Sequence, residues 1–175
     1  KVLVKNRNLR FRVHSKFKRH LYKKKIKKIH RFSKYLIIIF EDKTGFIIHL
    51  GMSGTIHLIK KNKKKFLTNT SFYNSPILPK KHNHIEIHFD EIRFVYNDPR
   101  RFGYFLIFNN MKELKKKFLH FGPEPFSKEF NIEYVSGYLK NKEKNIKNFL
   151  LDQKFISGIG NIYASEILFL CKINP

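Results

Sequence analysis

The stretch "HIEIHFDEIRFVYNDPRRFGYFLIF" (His84–Phe108) decides the fold class. It holds three apolar runs, "HIEIHF", "IRFVY" and "YFLIF", separated by Asp90-Glu91 and by the polar break "NDPRRFG". Short runs of this kind, bounded by turn residues, predict β-strands, and Asp90-Glu91 predicts a hairpin. Toward the N-terminus the pattern continues in "KVLV", "RFRV", "YLIIIF", "FIIHL" and "TIHLI", with "EDKTG" (Glu41–Gly45) as a second hairpin signal. Many short strands joined by tight turns predict a sandwich or a barrel. The Lys-rich stretch between Lys60 and Lys81, with two prolines, predicts a surface loop.

After Asn110 the period changes. "MKELKKKFL" has a helical pattern, and "FGPEPF" (Phe121–Phe126) cannot be regular structure because two prolines flank a glutamate. This stretch is the natural hinge. Beyond it, Asn131 is placed to cap "IEYVSGYLKN", "NIKNFLLDQ" sets Ile146, Phe149 and Leu150 on one helical face, and "NIYASEILFLC" predicts a further helix. A helical module therefore follows a β module.

The 175 residues suffice for one ordinary domain or two small ones. Lys and Arg number 37 against 13 Asp and Glu, a formal net charge of +24. Such a charge selects a polyanionic partner, nucleic acid or an anionic membrane. Part of it is compositional, since Lys, Asn, Ile and Phe are all heavily used, as A/T-rich coding produces. Placement is therefore more informative than the total. Cys171 is the only cysteine, which excludes an internal disulfide and a zinc site built from cysteines of this chain. No apolar run approaches the ~18 residues of a membrane span, and "YLIIIF" reads as a buried strand. No signal peptide is visible, and a cytoplasmic location is expected. The chain opens on Lys1 and ends on "KINP" just after an apolar run, so both ends look cut and the sequence reads as a fragment.

Lysine is the default cation, 29 against 8 arginines, so the adjacent Arg100 and Arg101 stand where a rigid forked donor serves better than a point charge. Pro99 fixes a turn after Asp98, and Gly103 ends it. On such a loop Phe102 either projects, giving the pairing of guanidinium and ring that reads and stacks on bases, or belongs to the core with Asp98 pairing an arginine as scaffolding. In "HLGMSG" (His49–Gly54), Met52 is either an exposed apolar wedge or a core residue at a strand end. "GIGNIYASE" (Gly158–Glu166) permits a tight turn into a helix starting near Asn161, which offers free N–H groups to a phosphate or is a plain turn between packed helices. "KHNH" (Lys81–His84) reads as a phosphate-facing patch, with a metal site and a solvated loop end as alternatives. Lys34, before "YLIIIF", is either a partly desolvated amine with a lowered pKa or a lysine that snorkels to water.

Taken together and in order, "SKYLI", "HLGMSG", "KHNHIEI", "NDPRRFG", "FGPEPFS", "LLDQKFISGIGNIYASEILF" and "INP" resemble the formamidopyrimidine-DNA glycosylase family, bacterial repair enzymes that act on oxidised purines. "DPRRFG" favours this branch over the related oxidised-pyrimidine branch. The resemblance implies an α+β fold: a β-sandwich over residues 1–124, a hinge at 125–130, and a truncated helix–two-turn–helix module over 131–175, with DNA in the cleft between. It implies an N-glycosylase with associated lyase activity. The partner would be double-stranded DNA carrying an oxidised purine or abasic site, bound by a monomer that needs no membrane. By position, Met52, Arg100 and Phe102 match the trio that fills the gap left by a flipped nucleotide, with Arg100 facing the orphaned cytosine. Lys34 matches an active-site lysine, Glu166 a glutamate near the catalytic end, and Asn161 a phosphate contact. Arg101 and His82 match backbone contacts.

Two departures stand out. The family's N-terminal proline nucleophile and the glutamate after it have no counterpart here, and neither has its zinc finger. One structural zinc is thus implied for full-length members and no cofactor for this chain, which would itself be inactive. A non-catalytic DNA-binding module on the same fold would share the charge and the wedge, whereas an RNA-binding protein would share only the charge.

Overall fold

The structure, a computed structural model, describes residues 1–60 and 77–174. The chain separates into two compact units, Lys1–Arg31 with Tyr35–Met111, and Phe32–Lys34 with Lys112–Pro175. The expected hinge, residues 125–130, lies inside the second unit.

The first unit holds β1 (Val2–Val4), α1 (Phe17–His20), β2 (Ile26–Phe32), β3 (Tyr35–Phe40), β4 (Gly45–His49), β5 (Thr55–Lys60), β6 (Asn83–His88), β7 (Ile92–Asn97) and β8 (Tyr104–Phe108). They form two four-stranded sheets, in the orders β1-β6-β7-β5 and β2-β3-β4-β8. The pairs β1–β6, β3–β4, β4–β8, β5–β7 and β6–β7 are all antiparallel, as short hairpin connections allow. Residues two apart along a strand share a face, and the core uses that period. Ile38 and Phe40, Phe46 and Ile48, Ile85 and Ile87, and Phe94 and Tyr96 join Phe105 in one buried cluster fed by both sheets. This is the sandwich expected from the sequence.

One local reading differs, and two elements, α1 and β2, carry no clear signal in the sequence. "RFRV" is not a strand; it is a turn with an isolated Asn8–Arg12 bridge, and Leu9 and Val13 plug into the core. The four-residue helix α1 follows and buries Phe17 against Phe46 and Phe105. Strand β2, "IKKIHRF", went unread because nearly all its side chains are exposed and no alternation shows. It is an edge strand, and lysines on an edge discourage pairing with foreign strands. Most of the expected Lys60–Lys81 loop, residues 61–76, lies outside the described residues.

The second unit holds α2 (Met111–Phe118), α3 (Ile132–Leu139), α4 (Ile146–Leu151) and α5 (Asn161–Leu170). Its core gathers Phe149, Leu150, Phe155, Ile156, Ile159, Ala164 and Leu168. Phe155 is the centre, stacked on Tyr134 and within 4.8 Å of Tyr138, while the Tyr134 hydroxyl donates to the Phe155 carbonyl at 2.8 Å. Asn131 caps α3 as its position demands, its side chain accepting from the Tyr134 amide at 2.9 Å. Phe121–Phe126 is irregular.

Candidate nucleic-acid interface

The strand registers bring three loops to one end of the first unit. Thr55 and Asn83 both pair with Asn97, so the start of β5, the start of β6 and the end of β7 lie side by side. His49 pairs with Tyr104, which places the end of β4 beside the start of β8. The loops leaving these ends carry Met52, His82 and Arg100–Phe102.

Asp98 ties them together. It is fully buried. One carboxylate oxygen accepts from the Ser53 hydroxyl at 2.5 Å. The other accepts from the Tyr96 hydroxyl at 2.8 Å and the Gly103 amide at 2.9 Å. Its carbonyl accepts from His84 Nε2 at 2.8 Å, and its amide donates to the His82 carbonyl at 3.1 Å. Burial pushes the Asp98 carboxyl up, but the Ser53, Gly103, Tyr96 and Arg101 hydrogen bonds outweigh it and hold the pKa below the usual carboxylate range. The same burial, with Asp98 adjacent, drives the Tyr96 phenol far upward. Asp98 thus anchors the turn through hydroxyls and amides, not through an arginine side chain.

Two glycines make the close approach possible. Gly51 has φ +69°, and a Cβ there would sit 2.6 Å from the Gly103 amide nitrogen and from the Phe102 carbonyl carbon. At Gly103 a Cβ would lie 1.9 Å from the Tyr96 hydroxyl. Any larger residue at either position would separate the loops.

Around this buried centre the tips are exposed. Met52 is 72% exposed and Phe102 42%, so neither is a core residue. The Arg100 guanidinium lies 4.5 Å from the Phe102 ring centroid, a cation–π pair that holds both groups in one orientation. Arg101 and His82 are exposed and left-handed, at φ +60° and +66°. Such conformations are strained for non-glycine residues and concentrate where a side chain must be aimed.

The second unit presents Lys34, Asn161 and Glu166. A Cβ on Gly160, the residue before α5, would lie 3.5 Å from Lys34 Nζ, so the amine sits against the first turn of that helix. Lys34 is exposed as a residue, yet partial burial of its amine lowers the pKa from the ordinary lysine value. Asn161 opens α5 and is exposed; no side chain caps this helix start, whose amides remain available to an acceptor. Glu166, also exposed, lies five residues further along α5, about 7.5 Å down the axis. The geometry therefore joins Lys34 with the start of α5 and leaves Glu166 apart. Among the described residues, no group of three or more His, Cys, Asp or Glu could hold a metal ion. Nor is any described helix long and apolar enough to cross a membrane.

Residues 1–105 match the model of the formamidopyrimidine-DNA glycosylase N-terminal domain, and residues 121–175 that of the formamidopyrimidine-DNA glycosylase H2TH domain. The chain belongs to the formamidopyrimidine-DNA glycosylase family. It is 37% identical over 175 residues to the family enzyme of Legionella pneumophila, covering 99% of this chain and 58% of that one. To the Lactobacillus gasseri enzyme it is 40% identical over 164 residues, 92% of this chain and 54% of the relative. The fold agrees with the Lactococcus lactis Fpg solved with abasic-site DNA, at a TM-score of 0.83 and 29% identity over 99% of this chain and 59% of that one. It also agrees with a MutM solved with DNA containing carbocyclic 8-oxo-G, at a TM-score of 0.77 and 31% identity over 91% and 56%. The chain thus spans less than three fifths of these relatives' length.

Sequence reasoning missed two hydrogen-bonding hubs beneath these exposed side chains. Asp98 was visible in "NDPRRFG" but read as turn scaffolding, because nothing in the sequence reveals that Ser53 and Tyr96 converge on it. Gln153 lies inside the resembling stretch "LLDQKFISGIGNIYASEILF", but nothing there marks its role, since its partners lie across a turn and in a distant segment.

Proposed function

We propose that the protein containing this chain removes oxidised purines from duplex DNA and cleaves the strand at the resulting abasic site. The observation that carries this reading is the exposed trio Met52, Arg100 and Phe102 on two loops locked to one buried carboxylate. Extruding a nucleotide costs a few kcal/mol of stacking and pairing. Met52 and Phe102 would fill the vacated space, and Arg100 would leave Phe102 to hydrogen-bond the orphaned cytosine, for which a forked donor is suited. Arg101 and His82 would hold phosphates on one side of the lesion. The relatives solved with abasic-site and 8-oxo-G DNA support this choice of partner.

In the second unit, Asn161 and the free amides of α5 would take a phosphate, and Lys34 would face the sugar. The chemistry needs an unprotonated amine at C1′: attack displaces the base, and the iminium that forms lets a neighbouring proton leave with elimination of the strand phosphate. An α-amino group, with a pKa near 8, suits this better than a lysine near 10.4. Lys34 therefore serves as a positioning and electrostatic group, and Glu166 as a distant proton-transfer or supporting carboxylate. The nucleophile implied by family membership has no match among these 175 residues. No residue is assigned to zinc.

One experiment addresses both levels. The 175-residue chain is mixed with abasic-site and undamaged duplexes, with and without borohydride. The expected result is preferential binding of the abasic duplex with no trapped adduct. Equal binding of both duplexes would sink the lesion-recognition reading. Efficient trapping abolished by Lys34→Ala would make Lys34 the nucleophile.

A further inference from the structure

The turn that carries Lys34 is held by a side chain that no motif singles out. Gln153 follows α4, and its amide bonds in two directions. Oε1 accepts from the Gly158 amide at 2.9 Å and from the Ser33 hydroxyl at 3.4 Å. Nε2 donates to the Ile159 carbonyl at 3.0 Å and to the Leu151 carbonyl at 3.2 Å. Its backbone carbonyl accepts from the Gly122 amide at 2.8 Å. One side chain thus fixes both backbone groups of the turn that launches α5 and, through Ser33, the residue before Lys34. Ser33 is buried and left-handed at φ +54°, and its amide donates to Glu124 Oε1 at 2.9 Å. A non-glycine residue keeps that conformation only where surrounding bonds over-determine it.

We infer that Gln153 is a positioning residue: its side-chain amide locks the Ser33–Lys34 turn to the Gly158–Gly160 turn and so holds the Lys34 amine against the start of α5. A planar amide with one double acceptor and two donors meets four partners at once, which no shorter or apolar side chain can do. The bond to Ser33 is the longest of the four, so it is the weakest part of the lock and the most informative to remove. The inference rests on the reading that Lys34 serves at the lesion, but it makes a separate statement about the free protein.

The test uses Gln153→Met, which keeps length and loses all four bonds, and the milder Ser33→Ala, which removes only the hydroxyl. In the free chain, the Lys34 ammonium is titrated by NMR. In wild type it should titrate below the exposed lysines, and both variants should move it toward them, Gln153→Met further. On duplexes, Gln153→Met should reduce the preference for an abasic site about tenfold. In a Lys34→Ala background the same change should cost less than twofold, because the two residues act as a unit. A Lys34 titration unmoved by either variant, or equal losses with and without Lys34, would overturn the inference and leave Gln153 as a fold element. If wild type shows no preference for the abasic duplex, the functional reading fails, while the NMR titration still decides the positioning role. Should Gln153→Met fail to fold, Ser33→Ala carries both measurements.

Discussion

The two units support their exposed chemistry in different ways. The first gathers three loops onto a buried, ionised Asp98; the second joins two turns through the neutral amide of Gln153. A buried carboxylate with three donors is strong while complete and costly when broken, because each donor left behind is desolvated and unpaired. A neutral amide is worth less per bond but is indifferent to pH. The loop set that would enter the base stack therefore rests on an acid-sensitive hub, whereas the Gln153 bonds of the lysine turn are softer and indifferent to acid.

The largest way to break this contrast is Asp98→Ala. It strands Ser53, Tyr96 and the Gly103 amide and should cost the first unit about 3–5 kcal/mol, read by urea unfolding. The second unit's Gly158 amide should keep its hydrogen-exchange protection. A loss below about 1 kcal/mol would mean the loops are held mainly by packing.

Acid sharpens the same point. The folded-state pKa of Asp98 is depressed, so its contribution is complete above the unfolded value of about 3.9 and is lost as pH falls through the lower folded value. First-unit stability should fall from about pH 4 downward, and Asp98→Asn should flatten that fall. Glu86 and Asp42, also depressed, leave a residual slope; Asp42 is held at about 2 by Lys24 and Thr44. An unchanged acid slope in Asp98→Asn would remove Asp98 from its central role.

Much of this was legible. Hairpins around Glu41–Gly45 and Asp90-Glu91, the Asn131 cap and the apolar face of α4 all follow from local pattern, whereas the exposure of Met52 and Phe102 stayed open between two readings. What was not legible depends on distant pairing. β2 hides because an edge strand needs no apolar face, and "RFRV" misleads because only Val13 of its alternating pair enters the core while Phe11 is exposed. Asp98 and Gln153 hide for a related reason: a hydrogen-bonding hub is defined by partners 45 and 120 residues away in sequence, and one sequence does not show who meets whom.

The central claim is that "PRR" divides its labour, Arg100 serving the lesion and Arg101 the backbone. Its most direct test is equilibrium binding, at fixed salt, of wild type, Arg100→Ala and Arg101→Ala to a duplex with an abasic site opposite cytosine and to its undamaged counterpart. Arg100→Ala should weaken the abasic complex about tenfold and leave the undamaged one within twofold, whereas Arg101→Ala should weaken both by the same factor. Identical behaviour of the two variants on both duplexes would contradict the account.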